Sequence, residues 1–318
     1  MRASPKVRVT VLVLSALMAS SAPLRLGGRS LAGATTSDSQ RAASPAVWAN
    51  APRALALAAS AKELKLTEGL AVGLIGLYGR SPVPADLVAW QLATGTLAPP
   101  REGLVIGMNA AGQPRAWARV TAGAEGWIEN PALAGGSLFI VIDSQKARTM
   151  ILEASSFYVA RINGEPRGGE KYGADWVRHP VRLVKGKNEF LIQCERGRFR
   201  GRLAEPPAEV FFTDADMTLP DLIIGERGPV WAGLRLVNAT GERLTGIEVL
   251  YRAGGNEVRV KVNVTVPPLM AQKLAVPLSI DFPSAEGTVP VEVQARARAG
   301  SRGVETPVFK VELKAVPP

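Results

Sequence analysis

The chain has 318 residues, 47% of them hydrophobic, with 32 glycines, 24 prolines and a formal charge of +10. It can bury the cores of two domains, and its turn residues suit short strands better than long helices. One cysteine, Cys194, excludes an internal disulfide and a multi-cysteine metal site, and one histidine, His179, forces any Ser-His or Cys-His chemistry through a single residue.

Residues 1–34 open with Arg2, Lys6 and Arg8, continue with an apolar run over 9–19 and end in small residues. That is the order of a secretory signal peptide, and the run is too short to span a bilayer comfortably. Cleavage fits after Ala22 or after Ala34. A secreted or periplasmic protein is expected, with membrane attachment only if the leader stays uncleaved. Residues 35–74 are rich in Ala, Ser and Pro and predict a linker with a short helix over 52–65. The apolar GLAVGLIGLYG, starting at Gly69, predicts a buried segment docked on the following domain.

Residues 75–213 predict a jelly-roll domain. GLVIGM, RAWARVTA, GSLFIVIDS, RTMILEAS, FYVARING, HPVRLVKG and EFLIQCER are short and alternate with period two between Gly, Asn and Asp. VRLVKGKNEFLIQC predicts a hairpin with a Gly-Lys-Asn turn, and RINGEP another. GGSLF lacks the second glycine of a nucleophile elbow, so Ser137 is expected to open a strand. His179, in VRHPVRL, is expected half-exposed at a strand edge.

Inside this domain YVARINGEPRGGEKYG holds four glycines. Gly164 and Gly169 have P-loop separation, but Glu170 stands where the lysine is required, so no nucleotide and no cofactor is predicted. Tyr158, Tyr172 and Trp176 flank this loop beside Glu170, Asn163, Asp175 and Arg178. Flat rings next to carboxylates and amides are what sugar binding uses. The competing expectation, which the pattern favours, is that Tyr158 and Trp176 are core and Tyr172 covers the turn. ERGRFRGR places Arg196, Arg198, Arg200 and Arg202 on one strand face. That is a candidate polyanion stripe, or a solvated face balanced by Glu195, Glu205 and Glu209, which is the favoured reading. Phe199 alternates to the opposite face, so the stacking rings that RNA recognition needs are missing and nucleic acid is not an expected partner.

Residues 214–318 predict an immunoglobulin-like sandwich, with the boundary between Thr213 and Leu219 and LAEPPAEVFFTDADMTLPD joining the modules. Seven strand candidates run from LPDLIIGE to TPVFKVELKA, without the Cys-Trp-Cys hallmark. Asp214, Asp216 and Asp221 lack EF-hand spacing and read as turn chemistry, so no metal is predicted. Asn238 and Asn263 match the glycosylation sequon.

The loop and the hairpin over 180–190 together resemble the end of a galactose-binding-like jelly roll. Followed by TDADMTLPDLIIGE and a sandwich, they resemble the N-terminal region of secreted bacterial alpha/beta-hydrolases of prolyl-oligopeptidase type. The resemblance implies a non-catalytic accessory part whose hydrolase domain would follow LKAVPP, and no catalytic residue carries over to this sequence. The expected function is a secreted binding module for a glycan, a cell-surface polymer or a partner protein, or alternatively the accessory half of a secreted serine hydrolase.

Overall fold

The computed structural model describes residues 52–77 and 85–318. The signal-peptide reading of residues 1–34 lies outside the described residues. Among the described residues no helix is long and apolar enough to cross a membrane. The chain is all-β, built as two sandwiches, in accord with the alternating pattern that predicts them.

The chain begins with β1 (Leu55–Leu57), β2 (Glu63–Lys65) and β3 (Glu68–Val72). An excursion follows with β4 (Gly76–Leu77), β5 (Ala85–Asp86), α1 (Leu87–Ala93), β6 (Val105–Met108) and β7 (Pro114–Ala116). Next come β8 (Ala118–Thr121), β9 (Ile128–Glu129), β10 (Ser137–Ser144), β11 (Arg148–Ser155) and β12 (Phe157–Ile162). The first sandwich closes with β13 (Glu165–Gly168), β14 (His179–Leu183), β15 (Gly186–Cys194) and β16 (Arg198–Ala204).

One sheet runs β13-β12-β15-β10-β3-β8, with β1 parallel to β10 beyond the end of β3. The facing sheet runs β14-β11-β16-β2, with β9 further along the same edge of β16. Between them Phe157 meets Phe199 edge to face at 6.1 Å, amid Ile140, Met150, Phe190 and Leu203. The excursion lays α1 and Trp117 over the outer face of the first sheet, on Phe139, Val141 and Leu191.

Two expectations fail here. Residues 52–65 hold no helix: β1 and β2 pair with β10 and β16, because Leu57 and Leu66 are core residues of the sandwich. Tertiary burial overrides the helix propensity of the alanines. Arg148 fastens the β1–β2 turn, donating to the carbonyls of Ala58 (2.7 Å), Ala59 (3.4 Å) and Ala61 (2.7 Å). The hairpin expected over VRLVKGKNEFLIQC is also absent, since β14 pairs with β11 and β15 with β10 and β12. The turn exists, held by Asn188 on Val184 and Gly186, but it carries the chain from one sheet to the other. RINGEP does form a hairpin, with Asn163 and Gly164 both at positive φ.

The second sandwich comprises β17 (Val210–Thr218), β18 (Leu222–Ile223), β19 (Val230–Asn238), β20 (Leu244–Ala253), β21 (Asn256–Val262), β22 (Met270–Leu278), β23 (Gly287–Ala299), β24 (Arg302–Glu305) and β25 (Phe309–Val316). A β17-β19-β22 sheet faces a β18-β25-β23-β20-β21 sheet over Leu234, Val249, Tyr251 and Val293. EVFFTDADMT, expected to join the modules, is mostly strand β17, because Val210 and Phe212 point into this core. Phe211 faces the other way and packs with Val237 on Ile151 of the first sandwich.

Candidate functional site

The connection from β13 to β14 crosses between the two sheets of the first sandwich, and its shape follows from two residues. At Gly169 a Cβ would stand 2.2 Å from the Phe157 carbonyl oxygen, so only glycine permits the approach. Glu170 then anchors the loop. Its carbonyl accepts the N–H groups of Ser156 and Phe157, both at 3.1 Å. Its carboxylate accepts those of Ser156 (3.2 Å), Tyr172 (3.2 Å), Gly173 (2.8 Å) and Ala174 (2.9 Å). The nest of amides that a phosphate would need is filled by the protein's own carboxylate.

Beyond the nest the loop rims a groove of about 490 Å³ over the outer face of β11, β16 and β2, closed on one side by the turn over residues 123–126. Asp175 accepts a hydrogen bond from Ser155 Oγ and another from Arg200 Nη2 at 2.7 Å. Partial burial raises the Asp175 pKa, but the bonds from Ser155 and Arg200 and the charges of Arg200 and Arg178 outweigh it, and the carboxyl is held below its usual value. Arg202 bridges Glu153 (2.6 Å) and Glu63 (3.0 Å). Arg178 reaches Glu153 at 3.4 Å and donates to the carbonyls of Asp175 (3.0 Å) and Val177 (2.8 Å). The floor is therefore a lattice of guanidinium–carboxylate pairs.

The six residues proposed from sequence do not form one cluster. Glu170 serves the loop backbone. Asn163 lies at the far end of β12, where its side chain bonds Glu189 N and Asn188 Oδ1. Asp175 and Arg178 do line the groove. The expected burial of Tyr158 and Trp176 is wrong: they are 57% and 49% exposed, and Tyr172, expected to cover the turn, is 62% exposed. Tyr158 points outward from β12 by alternation with buried Phe157, and the turn closed by Glu170 carries Tyr172 outward. Trp176 lies in a second cleft with Asp214 and Asp216, and its carbonyl accepts from Arg235 at 2.9 Å.

The arginine stripe is real over β16 but shorter than expected. Phe199 and Leu203 point inward and Arg198, Arg200 and Arg202 outward, while Arg196 sits in the preceding turn at φ 37°. Asp175, Glu153 and Glu63 pair with the stripe, and Glu209 pairs with Arg302. Trp127 was not anticipated. The guanidinium carbons of Arg198 and Arg200 lie over its ring, 4.4 and 4.5 Å from the centroid. Arg196 lies over Tyr172 at 5.3 Å. The rings absent from the strand are thus supplied by other segments, and the local signal was a tryptophan placed directly after a Gly-Ala-Glu-Gly turn.

Several other singled-out residues have structural partners. His179 is half-buried, opens β14, and donates from Nε2 to the Gly168 carbonyl at 2.6 Å. Burial lowers its pKa to about 4, with the charges of Arg235 and Arg167 adding to the effect. Cys194 is buried, which pushes its thiol far above the ordinary range. Ser137 opens β10 as expected. Asp216 pairs with Lys273 at 2.9 Å, and Asn238 is buried with its amide on three carbonyls, so its sequon is inaccessible in the fold.

No protein-family model matches the sequence, and no curated protein matches it. Among solved structures, a GH2 beta-galacturonidase from Eisenbergiella tayi bound to galacturonate aligns with 80% of the chain at 12% identity and a TM-score of 0.33. Red sea bream transglutaminase aligns with 74% at 10% identity and a TM-score of 0.26. Spo0M, a sporulation control protein from Bacillus subtilis, aligns with 34% at 13% identity and a TM-score of 0.23. The chain spans 43%, 36% and 49% of these proteins, respectively. Likenesses this weak carry no argument about fold or function.

Proposed function

We propose that this chain is a non-catalytic binding module, working outside the cytoplasm, whose first sandwich holds a saccharide in the groove beside the Glu170 loop. The observation that carries the reading is the floor of paired side chains: Arg200 with Asp175, and Arg202 with Glu153 and Glu63. Each sugar hydroxyl is both donor and acceptor, and such pairs present donors and acceptors side by side in positions already set by hydrogen bonds. Trp127 and Tyr172 border the same surface and hold the guanidinium groups of Arg198, Arg200 and Arg196 over their rings. The leader's charge and apolar order supports export.

The test is a polysaccharide panel against the full chain, followed by Trp127→Ala, Tyr172→Ala and Asp175→Asn. Loss of binding with an unchanged melting temperature supports the groove. A chain that binds no saccharide, or whose binding ignores all three substitutions, overturns it. The sequence resemblance to the front of secreted serine hydrolases supports a setting for such a module, presenting polymer to a catalytic domain. Co-purification of a hydrolase with the full chain is the corresponding measurement.

A further inference from the structure

Resting on that reading of the groove, we propose that the saccharide is acidic, with its carboxylate or sulfate groups received at the mouth of the groove by Arg196, Arg198 and Lys171. The arginine stripe divides into two unlike halves. Arg200 and Arg202 are neutralised by Asp175, Glu153 and Glu63. Arg196, Arg198 and Lys171 take no part in these pairs. Glu129 faces Arg198 across the β9–β16 ladder, yet the guanidinium turns away from it to Trp127.

These three cations are contiguous. Lys171 Nζ and the Arg196 guanidinium each lie 5.3 Å from the Tyr172 ring centre. The next residue, Gly173, is adjacent to Arg198, whose Nη2 lies 3.6 Å from the position a Cβ would take there. Arg198 and Arg200 share the ring of Trp127, and Arg200 leads into the groove through Asp175. A guanidinium held over a ring keeps its in-plane N–H groups available, and their fork matches the two oxygens of a carboxylate or sulfate. Arg196 is also held at φ 37°, a conformation that a side-chain-bearing residue adopts only when its surroundings impose it. The ring contacts thus orient cations that stand outside the carboxylate pairs of the floor, while the paired groups behind them suit the neutral hydroxyls of the same polymer.

The experiment measures binding of the full chain to dextran, dextran sulfate, alginate and oligo-dT across a salt series. Dextran and dextran sulfate share a backbone, alginate supplies carboxylates in place of sulfates, and oligo-dT carries phosphates without sugar rings in pyranose form. The expected result is binding to at least one acidic glycan that weakens as salt rises, exceeding that of dextran and of oligo-dT. Arg196→Ala with Arg198→Ala should then weaken it about tenfold, and the double lysine variant should restore part of the loss. Arg252→Ala on the second sandwich should change nothing. If dextran binds as well as the acidic glycans, the acidic assignment falls and the saccharide groove stands. If none of the saccharides binds, both fall. If oligo-dT binds at least as tightly, or the double alanine variant retains full affinity for the acidic glycan, the assignment is overturned.

Discussion

The backbone N–H of Gly173 lies between the two carboxylate oxygens of Glu170, 3.2 and 2.8 Å away, so one side chain closes the turn that carries Tyr172 outward. Three further amides share that carboxylate. Replacing it by alanine leaves these donors to water and removes the anchor. Glu170→Ala is expected to destabilise the fold by roughly 1–3 kcal/mol, the range for losing charge-assisted hydrogen bonds. Hydrogen exchange should report the loss first at Tyr172, Gly173 and Ala174. Unchanged protection there would show that the loop holds its shape without the carboxylate.

Gly169→Ala tests the same turn from the steric side. The added methyl would meet the Phe157 carbonyl at 2.2 Å and the Phe157 ring at 2.7 Å, and both belong to the core side of β12. A clash with backbone has no inexpensive relaxation, and a cost of about 3 kcal/mol is expected. Thermal melting measures it, and Gly168→Ala, with open space at its Cβ position, is the matched control that should cost much less.

The lone histidine gives a readable pH signature. The folded pKa of His179 is about 4, below the ordinary 6.5, so between these values the unfolded chain holds more protons than the folded one. Stability from this residue is therefore complete above about pH 6.5 and declines as pH falls toward 4, by at most about 3 kcal/mol. A single imidazole resonance followed by NMR should titrate near 4. A midpoint near 6.5 would contradict the burial described for it. In His179→Gln the fall in melting temperature across that window should flatten.

Arg148 is the fastening of the N-terminal strands, through the carbonyls of Ala58, Ala59 and Ala61. Arg148→Ala should cost about 2–3 kcal/mol and raise proteolysis near those alanines. Arg148→Lys should recover only part of it, because a point ammonium cannot span the carbonyls as the planar fork does. Equal stability of the lysine variant would assign the effect to charge alone.

Much of the β architecture was legible because its cause is local. Phe199 and Leu203 inward against Arg198, Arg200 and Arg202 outward is the two-residue alternation of the strand. Sheet membership was not legible. β14 and β15 flank a turn rich in Gly and Asn, and nothing local tells the chain to leave one sheet for the other there. Leu55 and Leu57 sit among alanines and Leu64 between Glu63 and Lys65, and only burial against β10 and β16 selects strand over helix. The candidate site was half legible for the same reason. Its arginines and Asp175 stand close in sequence, whereas Trp127 and Glu63 arrive from remote segments through pairing with β16.

The placement of β3 has a consequence in time. Leu70 pairs with Phe139 and Leu64 with Leu203, so each sheet of the first sandwich is completed by strands from the very start of the domain. During synthesis these strands emerge first and must wait for partners made much later, and long loop closures of this kind slow folding. The first sandwich is thus built to remain open until nearly all of it has been translated.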